Sequence, residues 1–69
     1  MIIDLLHPLR LERLKKGLTQ YALAELSGVA QVKISYAERG YNCLKEHQKE
    51  ALAKALGLTI KELFPEGVN

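Results

Sequence analysis

The chain has one cysteine, Cys43, in 69 residues. That excludes an internal disulfide, and a lone cysteine cannot build a metal site. Such usage points to a reducing, cytoplasmic setting. No apolar run approaches the roughly 20 residues needed to cross a bilayer, so no membrane association is expected. The opening MIIDLL is too short for a signal-peptide core and carries no basic leader. Catalytic constellations are missing as well. The sequence offers no nucleophile–His–acid set, no phosphate-cradling glycine loop and no paired carboxylates at a rigid site. An enzyme is therefore not expected, nor a cofactor or small-molecule ligand. His7 reads as a helix-start residue and His47 as a surface one, and neither has a companion at metal-ligand spacing.

Charge of one sign is also scarce. The net charge is +2, which permits a nucleic-acid partner without by itself indicating one. The excess sits in residues 1–18, where Arg10, Arg13, Lys15 and Lys16 face Asp4 and Glu12; the remainder sums to zero. At 69 residues the chain reads as a single domain, 1–69, with no room for a sensor domain. A core this small depends on regular helix packing when disulfides and metals are absent.

What is present is regular punctuation: KKGLT at 15–19, SGV at 27–29, RGYN at 39–42, LGLT at 56–59 and FPEG at 64–67. Between these marks the apolar spacing is helical, which predicts five short helices. The first starts near Pro8, a residue suited to an opening turn, turns Leu9, Leu11 and Leu14 inward and stops at Gly17. The second takes Thr19 as N-cap and turns Ala22, Leu23 and Leu26 inward. The third lies within GVAQVKISYAERG, residues 28–40. The fourth runs from Leu44 or Lys45 to Leu56, with Leu44, Gln48, Ala51, Leu52, Ala55 and Leu56 on its inner side. The last spans Thr59–Phe64, with Thr59 and Glu62 spaced as a capping box. MIIDLL is either extra packing over the core or part of a dimer contact.

The third helix is unusual on its outside. Val29, Ile34 and Ala37 form an inner side, while Gln31, Val32, Ser35, Tyr36 and Arg39 lie opposite, with Lys33 on the flank. Taken singly, Gln31 and Lys33 fit a solvated surface, and Tyr36 fits a packing contact. The preceding helix changes the weighting. Ala24 is small enough for two axes to cross closely, Gly28 supplies a positive φ in the turn, and Leu23, Val29 and Ile34 share a core. Small at 24, Gly at 28 and β-branched at 34 is a helix-turn-helix spacing, here over residues 19–40. On a recognition helix, the Gln31 amide can donate to N7 and accept from N6 of adenine. Val32 can pack on a thymine methyl, Lys33 can reach guanine or a phosphate, and Tyr36 can touch a base or sugar.

KKGLTQYALAELSGVAQVKISYAERG (15–40), followed by LAKALGLTIKELFP (52–65), resembles the Cro/phage-repressor type of helix-turn-helix protein, the XRE-like family. The resemblance covers nearly everything after Leu6. It implies an all-α, compact five-helix bundle, a lambda-repressor-like domain that binds operator DNA as a dimer. It places Gln31, Val32 and Tyr36 on base-reading positions and Gln20 on a position that clamps the DNA backbone. Arg39, Tyr41 and Asn42 fall on a loop resembling the second phosphate contact, and Ser35 joins that set. It also implies a partly buried ion pair between Arg13 and Glu38. Two departures stand out. Ala30 replaces the usual Ser or Thr cap, and YNCLKEHQKEA lacks the common Pro, which leaves the fourth helix's start open. The expected function is a transcriptional regulator, most simply a repressor. The rivals are an antitoxin, a restriction–modification controller, or a helix-turn-helix used purely for protein interaction.

Overall fold

The computed structural model of the protein describes residues 6–65. Apart from Leu6, the reading of MIIDLL lies outside them. Five helices and no strand occur among the described residues: α1 (Pro8–Lys15), α2 (Gln20–Ser27), α3 (Gln31–Glu38), α4 (Glu46–Leu56) and α5 (Ile60–Leu63).

Local chemistry sets these limits. Pro8 opens α1, and the His7 Nδ1 accepts from the Leu9 N–H at 3.0 Å. Thr19 Oγ caps α2 by accepting from the Ala22 N–H at 3.0 Å. Gly28 closes α2 in the left-handed region, φ +79°, and its N–H reaches the Ala24 carbonyl at 2.8 Å. Ala30 starts α3 without a side-chain cap, as its methyl group requires. The helix α4 begins at Glu46, and the N–H of the flanking Lys45 donates to Gln48 Oε1 at 2.8 Å. Thr59 and Glu62 form the reciprocal capping box on α5.

The core is built from Leu9, Leu23, Val29, Ile34, Ala37, Leu52, Ala53, Leu56, Leu63 and Phe64. α2 packs on α3 and α4, α1 on α3 and α5, and α4 on α5. α1 thereby backs α3 and α4 backs α2, while α5 braces α1 and α4.

Two inward assignments are corrected. Leu14 is 48% and Leu26 63% exposed. On α1 the buried pair is Leu9 and Arg13, one turn apart; Leu14 lies about 140° round the axis from Leu9. On α2 the residue one turn beyond Leu23 is Ser27, half-buried, whose hydroxyl donates to the Leu23 carbonyl at 2.8 Å. A polar residue fills the inner slot in both helices, and the leucine beside it turns outward.

Candidate nucleic-acid interface

The short link Gly28–Ala30 sets α3 against α2. Ser27 Oγ accepts from the Val29 N–H at 3.2 Å, and Val29 itself is buried, so the turn is pinned on both sides. Ile34 and Ala37 then anchor α3 to the core. At 100° per residue, Gln31, Ser35 and Arg39 form one row on the far side, and Val32 and Tyr36 form the next.

The exposures follow that geometry. Val32 is 51% and Tyr36 43% exposed. Gln31 and Ser35 are half-buried at the margin, and Arg39 is exposed. Among these residues the structure brings together an aromatic group: the Tyr36 and Tyr41 rings meet edge to face at 5.7 Å, and the Arg39 guanidinium stands 5.0 Å over the Tyr36 ring. Arg39 also donates from Nη2 to Ser35 Oγ and from Nε to the Ser35 carbonyl, both at 3.4 Å. Tyr41 and Asn42 are exposed on the linker after α3. Lys33 stands apart. It is half-buried, and its Nζ donates to the Cys43 carbonyl at 3.5 Å while the Cys43 thiol donates back to the Lys33 carbonyl at 3.5 Å. This exchange ties the linker to the flank of α3 and turns the ammonium away from the outer rows.

Beneath the margin lies a buried ion pair. Arg13 Nε donates to Glu38 Oε2 at 2.5 Å and Nη2 to Oε1 at 3.1 Å, with the two side chains only 8% and 3% exposed. Arg13 Nη1 donates to the Leu18 carbonyl at 2.6 Å. The pair therefore joins α1, the α1–α2 turn and the end of α3. Among the described residues no buried side-chain nitrogen or oxygen lacks a partner.

Gln20 does more than its sequence position indicates. Its Nε2 donates to Glu38 Oε1 at 2.9 Å, and its Oε1 accepts from Gln31 Nε2 at 2.7 Å. The amide thus bridges the buried carboxylate to the first residue of α3. The one hint in the sequence is the recurrence of Gln at the residue opening each motif helix. Arg10 was also missed: it lines one polar cleft with Arg13, Gln20, Ser35, Glu38 and Arg39.

Helix N-termini at Gln20 and Gln31 add backbone N–H groups without intrahelical partners, a setting that favours anions. No three His, Cys, Asp or Glu side chains cluster as a metal would need among the described residues, and no helix there is long and apolar enough to cross a membrane. Searches of the curated proteins and of the solved structures give no match to the chain. A family model for the helix-turn-helix, the fold of XRE-type DNA-binding transcription regulators and not of enzymes, matches residues 9–63, four-fifths of the chain, which therefore belongs to that helix-turn-helix family.

Proposed function

We propose that the protein is a transcriptional repressor that binds a palindromic operator as a homodimer, the whole of residues 1–69 acting as one DNA-binding domain. The observation that carries this reading is the outer side of α3, where Val32, Tyr36 and Arg39 are exposed and Gln31 and Ser35 lie half-buried at the margin while Ile34, Ala37 and Glu38 fasten the opposite side. A helix held this way can enter a major groove as a rigid body.

In that pose the Gln31 amide pairs with adenine and Val32 packs on a thymine methyl. Tyr36 reaches a base or sugar one turn further along. Gln20, Ser35, Arg39, Tyr41 and Asn42 meet phosphates, which position the helix without specifying sequence. Lys33 joins the contacts only by releasing the Cys43 carbonyl. Repression follows from occlusion of polymerase on the bound operator.

The test is a binding titration against the DNA upstream of the protein's own coding sequence and against a scrambled duplex, at two salt concentrations. Selective binding that weakens with salt is expected. Weak binding, equal on both duplexes, would overturn the reading in favour of a protein-interaction module or a regulator that needs a partner.

A further inference from the structure

The two rows on the outer side of α3 differ in chemistry. Gln31, Ser35 and Arg39 carry an amide, a hydroxyl and a guanidinium. Val32 and Tyr36 carry two methyl groups and a phenol ring. Both are exposed, although each could have served the core. One helical turn apart, their Cβ atoms stand about 5–6 Å from each other, so the two side chains form a single apolar strip.

The strip is fixed along its length. The Tyr41 ring meets the Tyr36 ring edge to face, and the Arg39 guanidinium stands 5.0 Å over that same ring. Arg39 is itself held at Ser35, from Nη2 to the hydroxyl and from Nε to the carbonyl. Val32 is β-branched, which leaves one strongly preferred rotamer in a helix.

What such a strip can distinguish follows from the edges of the bases. In the major groove thymine shows O4, an acceptor, beside a 5-methyl group; cytosine shows N4–H2, a donor, beside a bare C5. Val32 has no polar atom, so it cannot register O4 against N4–H2. The Tyr36 hydroxyl both donates and accepts, so it serves either. The methyl group is the one feature left for the strip to recognise. A cytosine methylated at C5 carries that group in the same place.

We propose that the Val32–Tyr36 strip reads the pyrimidine 5-methyl group itself, so that the protein accepts 5-methylcytosine where it accepts thymine, and its DNA binding responds to cytosine methylation. The inference rests on the reading of α3 as the helix that enters the major groove.

The test starts with wild-type protein and a duplex pool randomised over about 20 base pairs, enough for two half-sites one helical turn apart. Replacing each thymine of an enriched duplex by deoxyuridine locates the one that meets the strip. Four duplexes then differ at that pair in one half-site: U·A, T·A, C·G and 5-methyl-C·G. Within each half of the set the purine is constant and one methyl group is added. Burying one such group strengthens binding about fourfold. T·A should therefore bind about fourfold tighter than U·A, and 5-methyl-C·G about fourfold tighter than C·G. Val32→Ala, at an exposed position, should bring both ratios within about twofold while circular dichroism shows an unchanged helical spectrum. A gain on T·A with none on 5-methyl-C·G overturns the inference and leaves α3 in the groove. Gains that persist undiminished in Val32→Ala overturn it as well, because the methyl group is then read elsewhere. If the pool yields a preferred duplex but no thymine responds to deoxyuridine, the strip reads no methyl group; the inference fails and operator binding stands. A pool that yields no preferred duplex removes the operator reading, and the inference falls with it.

Discussion

Glu38, at the end of α3, is tied to both α1 and α2. Its carboxylate accepts from Arg13 Nε and Nη2 in a buried pair, and from Gln20 Nε2 at its half-buried edge. Two opposite charges in a low-dielectric site gain strongly from each other, but only while both are present. Removing one leaves the other unpaired, at about 3–5 kcal/mol, comparable to what a core of this size supplies in total. Glu38→Ala and Arg13→Ala should therefore each be largely unfolded at 25 °C by circular dichroism. The paired replacement Arg13→Met with Glu38→Leu removes both charges together and should be more stable than either single variant. A double variant no better than the singles would mean that the contacts to Leu18 and Gln20, and not the charge pair, dominate the site. Parts of this arrangement are legible in the sequence and parts are not. The XRE-like resemblance pointed to Arg13 and Glu38 as partners. The bridging role of Gln20 was not visible, because it depends on side chains 11 and 18 residues away and on which way an amide is turned. Nothing local to Gln20 encodes that.

The elements, by contrast, are largely written in their ends. Pro8, Thr19, Gly28, Gly57 and the Thr59–Glu62 pair act within one turn, so the residue types alone mark the start of α1, both ends of α2, the end of α4 and the start of α5, to within a residue. Which face turns inward is a tertiary matter. Leu14 and Leu26 are as apolar as their buried neighbours, and only the competition of Arg13 and Ser27 for the inner slots leaves them outside. The turn between α2 and α3 gives a paired prediction. A Cβ at Gly28 would meet nothing within 4 Å, but φ is +79°. Gly28→Ala should cost about 1 kcal/mol from backbone strain alone, lowering the melting temperature by roughly 4–8 °C. Two residues on, Ala30 leaves α3 uncapped with extended backbone, ψ 139°, so Ala30→Ser should gain about 1 kcal/mol. Thermal melts of the two variants should shift in opposite directions; shifts of the same sign would remove this account of the turn. At α5 the Glu62 carboxylate accepts from the Thr59 N–H and hydroxyl, which holds its pKa below the ordinary 4.5. A lowered folded-state pKa stabilises above the ordinary value and loses that effect as pH falls through the folded one. Wild type should melt above Glu62→Ala at neutral pH, and the gap should narrow on acidification below the ordinary carboxylate range. A gap independent of pH would assign the box to shape and not charge.

At the scale of the whole molecule, size and charge decide how it can bind. The described chain measures 31 × 29 × 21 Å. Two such bodies side by side have centres about 30 Å apart before side chains are counted, close to the ~34 Å that separates successive major grooves on one face of B-DNA. The net charge is only +2, Lys33 is held by the linker carbonyl and Arg39 lies over Tyr36. One subunit therefore has few cations to replace condensed counterions, and its affinity from phosphates alone is small. In the proposed homodimer, two subunits on one face of the duplex would double the neutralised phosphates, and with them the slope of log K against log salt. Phase then becomes a strict requirement. Adding about 5 base pairs between the half-sites turns one of them to the far side of the helix, whereas about 10 restores its facing. On a palindromic duplex that the protein binds selectively, an insert of half a turn should abolish the contribution of the proposed second subunit and halve the salt slope. A full-turn insert should recover part of both, the remainder being the contribution of contact between the subunits of the proposed homodimer. Gel-shift titrations on the three spacings, each at several salt concentrations, separate the cases. If the half-turn insert leaves affinity and slope unchanged, each half-site is occupied by an independent monomer, and the homodimer is excluded.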